Sequence, residues 1–217
     1  MSDELEVTSK TRVRRIAERG VYERDTIYGI LDEALICHVG LVENGQPFVL
    51  PTIHARQSAR LLLHGSMGSR LLRYAVAGNP LCITVTLLDG LVLARSAFHH
   101  SMNYRSVVLV GQAEEIVERE EKIEALRVLS EHIARGRWDE VRGPNKDELK
   151  QTRIVAVPLE EASAKVRVGP PGDEEGDYAL DVWAGVVPLA LEPGVPESDP
   201  LLRAGVPVPD YVSTYRR

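Results

Sequence analysis

The chain reads as a mainly β protein, a β-barrel with peripheral helices. Three observations predict this. Apolar runs of strand length recur between turn signals from residue 35 to residue 168. Asn44-Gly45 and Asp89-Gly90 are hairpin-type turn pairs. Helical periodicity is confined to a few segments, and six or so strands with few helices close most simply as a barrel.

The elements follow in order. Residues 1–19 are charged, and Arg12, Arg14 and Arg15 mark a solvated arm. Asp25 is placed to cap a helix over residues 26–34, with Ile27, Ile30, Leu31 and Ala34 on one face. The period then changes to strands at residues 35–42 and 47–55 around an Asn-Gly turn. A third strand, residues 60–64, runs into Gly65-Ser66-Met67-Gly68-Ser69-Arg70 and a short helix that ends at Gly78-Asn79-Pro80. Strands fill residues 81–94 and 106–117, the first broken by the Asp89-Gly90 turn. Residues 118–135 are a charged amphipathic helix with Ile123, Leu126, Leu129 and Ile133 inward and His132 exposed. Strands at residues 153–159 and 164–168 complete the sheet. The chain thus divides into an arm (1–19), a barrel domain (20–168) and a Pro/Gly-rich extension (169–217). Within that extension, residues 178–188 are an apolar island that must dock on the barrel or on a dimer partner.

Composition narrows the function. The 217 residues carry a net charge of -6 with the two signs interspersed, so the broad positive field that nucleic acid or anionic membrane requires is missing. Neither a signal-like segment nor a window of membrane-spanning length is present, which predicts a soluble cytoplasmic protein. Cys37 and Cys82 sit in apolar runs without C-x-x-C spacing and read as buried free thiols.

Polar chemistry concentrates between residues 96 and 106, where His99, His100, Asn103, Tyr104, Arg105 and Ser106 lie between apolar runs. Such a set can contact a ring, a polyol and a phosphate. In Ser66-Met67-Gly68-Ser69-Arg70, hydroxyls, a glycine and a guanidinium precede a helix and form a candidate phosphate cradle; the same pattern also serves plain helix capping. It is neither a Walker loop nor a dinucleotide fingerprint. His38, His54 and His64 lie in strands with no carboxylate companion, and adjacent His99 and His100 point to opposite faces if extended, so no metal site is read. Without a nucleophile elbow or an activated cysteine, bound-cofactor chemistry or ligand storage remains.

Taken together, residues 34–40, 51–56, 64–70 and 87–106 resemble flavin-nucleotide-binding proteins of the pyridoxamine 5′-phosphate oxidase-related superfamily, nearest its nitroimidazole-resistance reductase branch. The resemblance implies an FMN-binding split β-barrel, a homodimer with two flavins at the subunit interface. It implies that Pro51, Thr52, Ile53 and His54 run along the isoalloxazine edge. The loop after His64, with Ser66, Ser69 and Arg70, takes the phosphate. Relatives often carry Ser-Arg-Lys there, whereas Ser69-Arg70-Leu71 leaves Arg70 to supply the charge alone. Asn103, Tyr104, Arg105 and Ser106 are implied to contact the phosphate or ribityl chain from their own or the other subunit. Trp183 covers the flavin, fills the dimer cleft or simply packs. The implied activity passes hydride from NADH or NADPH through FMN to a nitro-aromatic or quinone acceptor, with His99 or His100 as proton donor. A flavin carrier or sensor, or a barrel holding haem or deazaflavin, are the alternatives.

Overall fold

Both residues of the Asn44-Gly45 turn adopt positive φ, 53° and 76°, the conformation that a twist-matched two-residue hairpin requires. The turn joins β2 (Ile36–Glu43) to β3 (Gln46–Gln57) in continuous register from Glu43 opposite Gln46 to Ile36 opposite Ile53. This hairpin belongs to a computed structural model that describes residues 3–216. Met1, Ser2 and Arg217, the outermost residues of the expected arm and extension, lie outside the described residues.

The other strands are β1 (Gly20–Val21), β4 (Arg60–Ser66), β5 (Leu81–Leu93), β6 (Ser101–Gly111), β7 (Glu114–Glu115), β8 (Thr152–Pro158), β9 (Ala162–Arg167) and β10 (Gly185–Pro188). The helices are α1 (Arg24–Glu33), α2 (Arg70–Val76), α3 (Arg119–Ile133), α4 (Lys146–Gln151) and α5 (Asp210–Ser213). All strand pairs are antiparallel, in the order β1-β9-β6-β5-β2-β3-β4-β8-β7, with β10 added to β5.

The sheet curls into a barrel because its two ends are consecutive in sequence. Three residues, 159–161, connect β8 near one end to β9 near the other. Across that connection Leu159 N–H donates to Ala59 O and Val110 N–H donates to Glu161 O. The barrel is split at β3, which pairs with β2 up to Ile53 and with β4 from His54 to Gln57.

Inward positions of β2, β4, β5, β6, β8 and β9 meet Ile27 and Leu31 of α1 in one core, which includes Val39, Leu63, Ile83, Leu109 and Val157. On the far side of β4 and β8, Leu62, Ile154 and Ala156 pack against Ala125 and Leu129 of α3. Burial on both faces explains why Leu61-Leu62-Leu63 and residues 154–157 are unbroken apolar runs. No helix among the described residues is long and apolar enough to cross a membrane.

Several expectations change. Helix α1 begins at Arg24 with Glu23 at its N-cap and no side-chain cap bond, so Asp25 sits in the first turn, where its charge favours the helix dipole. Asp89-Gly90 is no hairpin: β5 runs through it with a register shift between Leu88 and Gly90, a bulge that absorbs one extra residue. Strand β6 starts at Ser101, so residues 101–106 are ladder rather than connection. Helix α4, with an Asn145–Glu148 capping box, and β10 were not expected. Cys82 is exposed, because its side chain falls on the outward parity of β5. His132 is half-buried, since its Nε2–H donates to Ala34 O at 2.8 Å.

The termini are anchored. Leu5 enters the core, and its N–H donates to Tyr22 O. At the other end β10 lies so close to the β5 bulge that a Cβ on Gly90 would come 3.0 Å from Val187 O. Replacing Gly90 with alanine should therefore cost about 1–3 kcal/mol in urea unfolding and expose the extension to protease, because backbone has to move.

Candidate functional site

At the end of β4 the chain turns through residues 66–69 into α2. The Ser69 hydroxyl accepts from Leu72 N–H at 3.4 Å and thereby caps the helix, while Ser69 N–H donates to Ser66 O and Met67 N–H to Gln151 O. Ser66 is exposed, and a Cβ at Gly68 would meet nothing within 4 Å, so the loop borders open space. Arg70 stacks over the Phe48 ring at 4.4 Å and faces Glu43 at 3.5 Å. That ion pair is long and exposed, and its contribution to stability is small. The guanidinium is free to turn toward an anion.

Beside this loop lies a sheet face that is left exposed among the described residues. Ile36, His38, Val42 on β2, Val49, Pro51 and Ile53 on β3, Cys82 on β5 and Val108 on β6 all point outward and are exposed. Cross-strand register arranges them in rows: Pro51, His38, Thr84 and Val108 in one, and Val49, Gly40, Cys82 and Val110 in the next. Val49 is 65% exposed. An apolar area of this extent marks a contact surface. Of the residues read as the flavin edge, Pro51 and Ile53 belong to this face, and Thr52, half-buried, spends its hydroxyl on Ile53 O. His54 turns the other way and is 0% exposed. Its Nε2–H donates to Leu31 O at 3.0 Å, and its ring lies 5.3 Å from that of His132. The two imidazoles cap the last carbonyls of α1.

His64 sits one step beyond the Leu63–His54 pair, level with Ile53. Its Nδ1 is buried without a hydrogen-bond partner. Burial pushes the imidazole below its ordinary value of 6.5, which keeps it neutral. The Cys37 thiol is likewise pushed up by burial, to about 12, and is no nucleophile.

The Asn103–Ser106 segment is committed to the protein. Arg105 binds Glu33 of α1 through both terminal nitrogens and Asp89 of the β5 bulge at 2.7 and 3.0 Å. The hydrogen bonds it donates to Glu33 and then to Asp89 raise its pKa further and fix its charge. Asn103 is buried, accepts from Arg167 and donates to Gly169 O at 3.2 Å. Ser106 donates to Lys165 O, and Tyr104 pairs with Arg167 across β6 and β9. Arg167 is buried with carbonyl and amide partners, and desolvation lowers its pKa.

The turn before β6 is closed by the extension. His99 Nε2 lies 3.5 Å from Glu174, and Arg95 holds Asp173 at 3.0 Å beneath the Tyr178 ring. His100 Nδ1 accepts from Ala94 N–H at 3.0 Å, so the neutral ring carries its proton on Nε2. Trp183 is exposed just before β10.

Within one chain the two polar regions stand apart. Arg70 lies on Phe48, whose partner Leu41 is one step beyond the Gly40–Cys82 pair, while Arg105 pairs with Leu87. From Leu81 to Leu87 along β5 is roughly 20 Å at the strand rise. Glu33, Asp89 and Arg167 were not singled out from sequence, because helix, turn and strand positions hide the long-range ion pairs they make. His38 had one available signal: both parities of β2 are apolar around it.

Residues 23–166 match the family model described as pyridoxamine 5′-phosphate oxidase. The chain belongs to this family. Among solved structures, the flavocytochrome Anf3 from Azotobacter vinelandii is 40% identical over 96% of this chain and 97% of its own, with a TM-score of 0.91. The FAD and haem binding protein from Mycobacterium smegmatis is 36% identical over 89% of this chain and 95% of its own, at TM-score 0.86. A 5-nitroimidazole antibiotic resistance protein from Bacteroides thetaiotaomicron, described as putative, shares the fold at 24% identity, over 68% of this chain and 86% of its own, at TM-score 0.56. No curated protein matches the chain. The split barrel of this family is thus the architecture, as the sequence resemblance implied.

Removing the clamp cation with Arg105→Ala should destabilise the fold by about 1.5–3 kcal/mol in chemical denaturation, because two carboxylates lose their shared partner. A lowered folded pKa at His64 means its stabilising contribution is complete above 6.5 and is lost as pH falls through the lower folded value. His64→Leu should therefore flatten the loss of thermal stability between about pH 7 and about pH 5 relative to the wild type.

Proposed function

We propose that the protein is a flavin-dependent oxidoreductase that works as a homodimer and carries haem as a second cofactor. The observation that carries this reading is the uncovered apolar face beside the Ser66–Arg70 loop, in a chain 40% identical to a flavocytochrome and 36% identical to a protein that binds FAD and haem. Two copies joined through that face would bring the loop of one subunit toward the Asn103–Ser106 side of the other, which a single chain holds roughly 20 Å away along its strands.

The residues fit a flavin. Exposed Ser66, the open space at Gly68 and the loosely held Arg70 suit a phosphate, and Pro51, Thr52 and Ile53 offer a strand edge for the ring. We take FAD rather than FMN, in line with the mycobacterial relative; both share the ring, ribityl chain and first phosphate. His64 is the first candidate for haem, as a half-buried imidazole that desolvation keeps neutral, level with Ile53 of the apolar face. His38, exposed on the same face, is the second candidate. The flavin, when bound, would accept hydride from NADH or NADPH, and the acceptor is a small oxidised molecule of nitro-aromatic or quinone type, or one reached through the haem. His100, with Nδ1 occupied by Ala94 N–H, would donate a proton from Nε2, and His99, 3.5 Å from Glu174, would hold the extension beside it.

The absorption spectrum of the purified protein tests the reading directly. Flavin bands together with a Soret band are expected; a protein that stays colourless after incubation with FAD, FMN and haemin overturns it. Arg70→Ala should weaken flavin binding about 10–150-fold, the worth of a charge-assisted hydrogen bond, in a fluorescence titration. His64→Ala should remove or shift the Soret band and leave the flavin bands in place.

A further inference from the structure

An open groove of about 1110 Å³ lies between the ends of α1 and α3, Arg56 of β3 and the C-terminal residues around α5. None of residues 66–70 lines it. We infer that this groove is a nucleotide site, which takes a flat aromatic base on its tyrosines and a di- or monophosphate on its arginines.

The charge argument comes from which groups are already satisfied. Three carboxylates border the groove, but Asp32 is bound by Nε and one terminal nitrogen of Arg56, at 2.9 and 2.5 Å, and Glu33 is held by Arg105. Glu131 accepts the backbone N–H groups of Gly136 and Trp138 at 2.7 and 2.9 Å. Two of the bordering guanidiniums, by contrast, have no carboxylate within ion-pair distance among the described residues: Arg135 and Arg216. Arg216 donates to Tyr215 O at 2.7 Å. In a chain of net charge -6, two exposed guanidiniums without an ion pair among the described residues favour an anion on this concavity, Arg135 keeping only a longer-range attraction to Glu131, and guanidinium geometry suits phosphate oxygens.

The aromatic half rests on Tyr211 and Tyr215, which close the groove from the C-terminal side. Their hydroxyls are anchored elsewhere: Tyr211 donates to Glu140 at 2.5 Å and accepts from Arg137 at 3.1 Å, and Tyr215 donates to Ile133 O at 3.0 Å. Tying down the hydroxyls leaves the ring faces pre-positioned, which lowers the entropic cost of stacking a base. The groove volume is at the upper end of ordinary ligand sites and is ample for a nucleotide.

Calorimetric titration of the full chain with ADP, adenosine and pyrophosphate tests this. ADP should bind, adenosine and pyrophosphate should each bind about tenfold or more weakly, and added salt should weaken ADP. Arg135→Ala and Arg216→Ala, both on exposed side chains, should each weaken ADP about tenfold while the melting temperature and any flavin bands stay unchanged. Absence of ADP binding, undiminished ADP binding in the Arg135→Ala/Arg216→Ala double variant, or adenosine binding as tightly as ADP would each overturn the inference. Because the flavin bands are read separately, failure here is distinguishable from failure of the flavin assignment.

Discussion

Four central strands carry apolar side chains on both faces, and one chain buries only the inner one. The inner set, with Val39, Ile83, Val85 and Leu109, is the barrel core. The outer set, with Ile36, Val49, Ile53 and Val108, stays 37–65% exposed. Fully burying side chains of this kind is worth about 1.5–3 kcal/mol each, so leaving several exposed is a standing cost that the proposed partner surface would offset.

Rigidity around the rim comes from ion pairs rather than from packing. Arg105 ties the end of α1, the β5 bulge and β6 into one unit. Asp89 reaches Arg105 because the bulge re-aims that stretch of β5, and β10 then lies against the same bulge through Gly90. The Arg105 guanidinium, expected from the resemblance to contact the cofactor, is therefore a structural keystone, whereas Arg70, stacked on Phe48 and weakly paired, keeps its charge available.

Much of the barrel was legible before the structure. Periodicity and the Asn-Gly turn located β2 and β3 closely, since local conformation and apolar alternation agree there. The Asp89-Gly90 pair misled, because a bulge and a hairpin use the same residues and only the partner strand decides between them. The site was less legible. Histidines in strands look alike in sequence; burial separates His54, fully enclosed and locked on Leu31 O, from half-buried His64, and exposure sets His38 apart. The sites of Asn103 and Arg105 were found as polar residues, but their partners Arg167, Glu33 and Asp89 lie far away in sequence, beyond the reach of any local pattern.

Strand β10 covers the flank of β5 where β2 has diverged, pairing with Leu93 through Gly90. Without it, that length of β5 would present unpaired amides and carbonyls, a template on which foreign chains could add and aggregate. The C-terminal extension thus acts as a built-in guard of solubility, and any shortened form of the protein that ends before Gly185 inherits a sticky border.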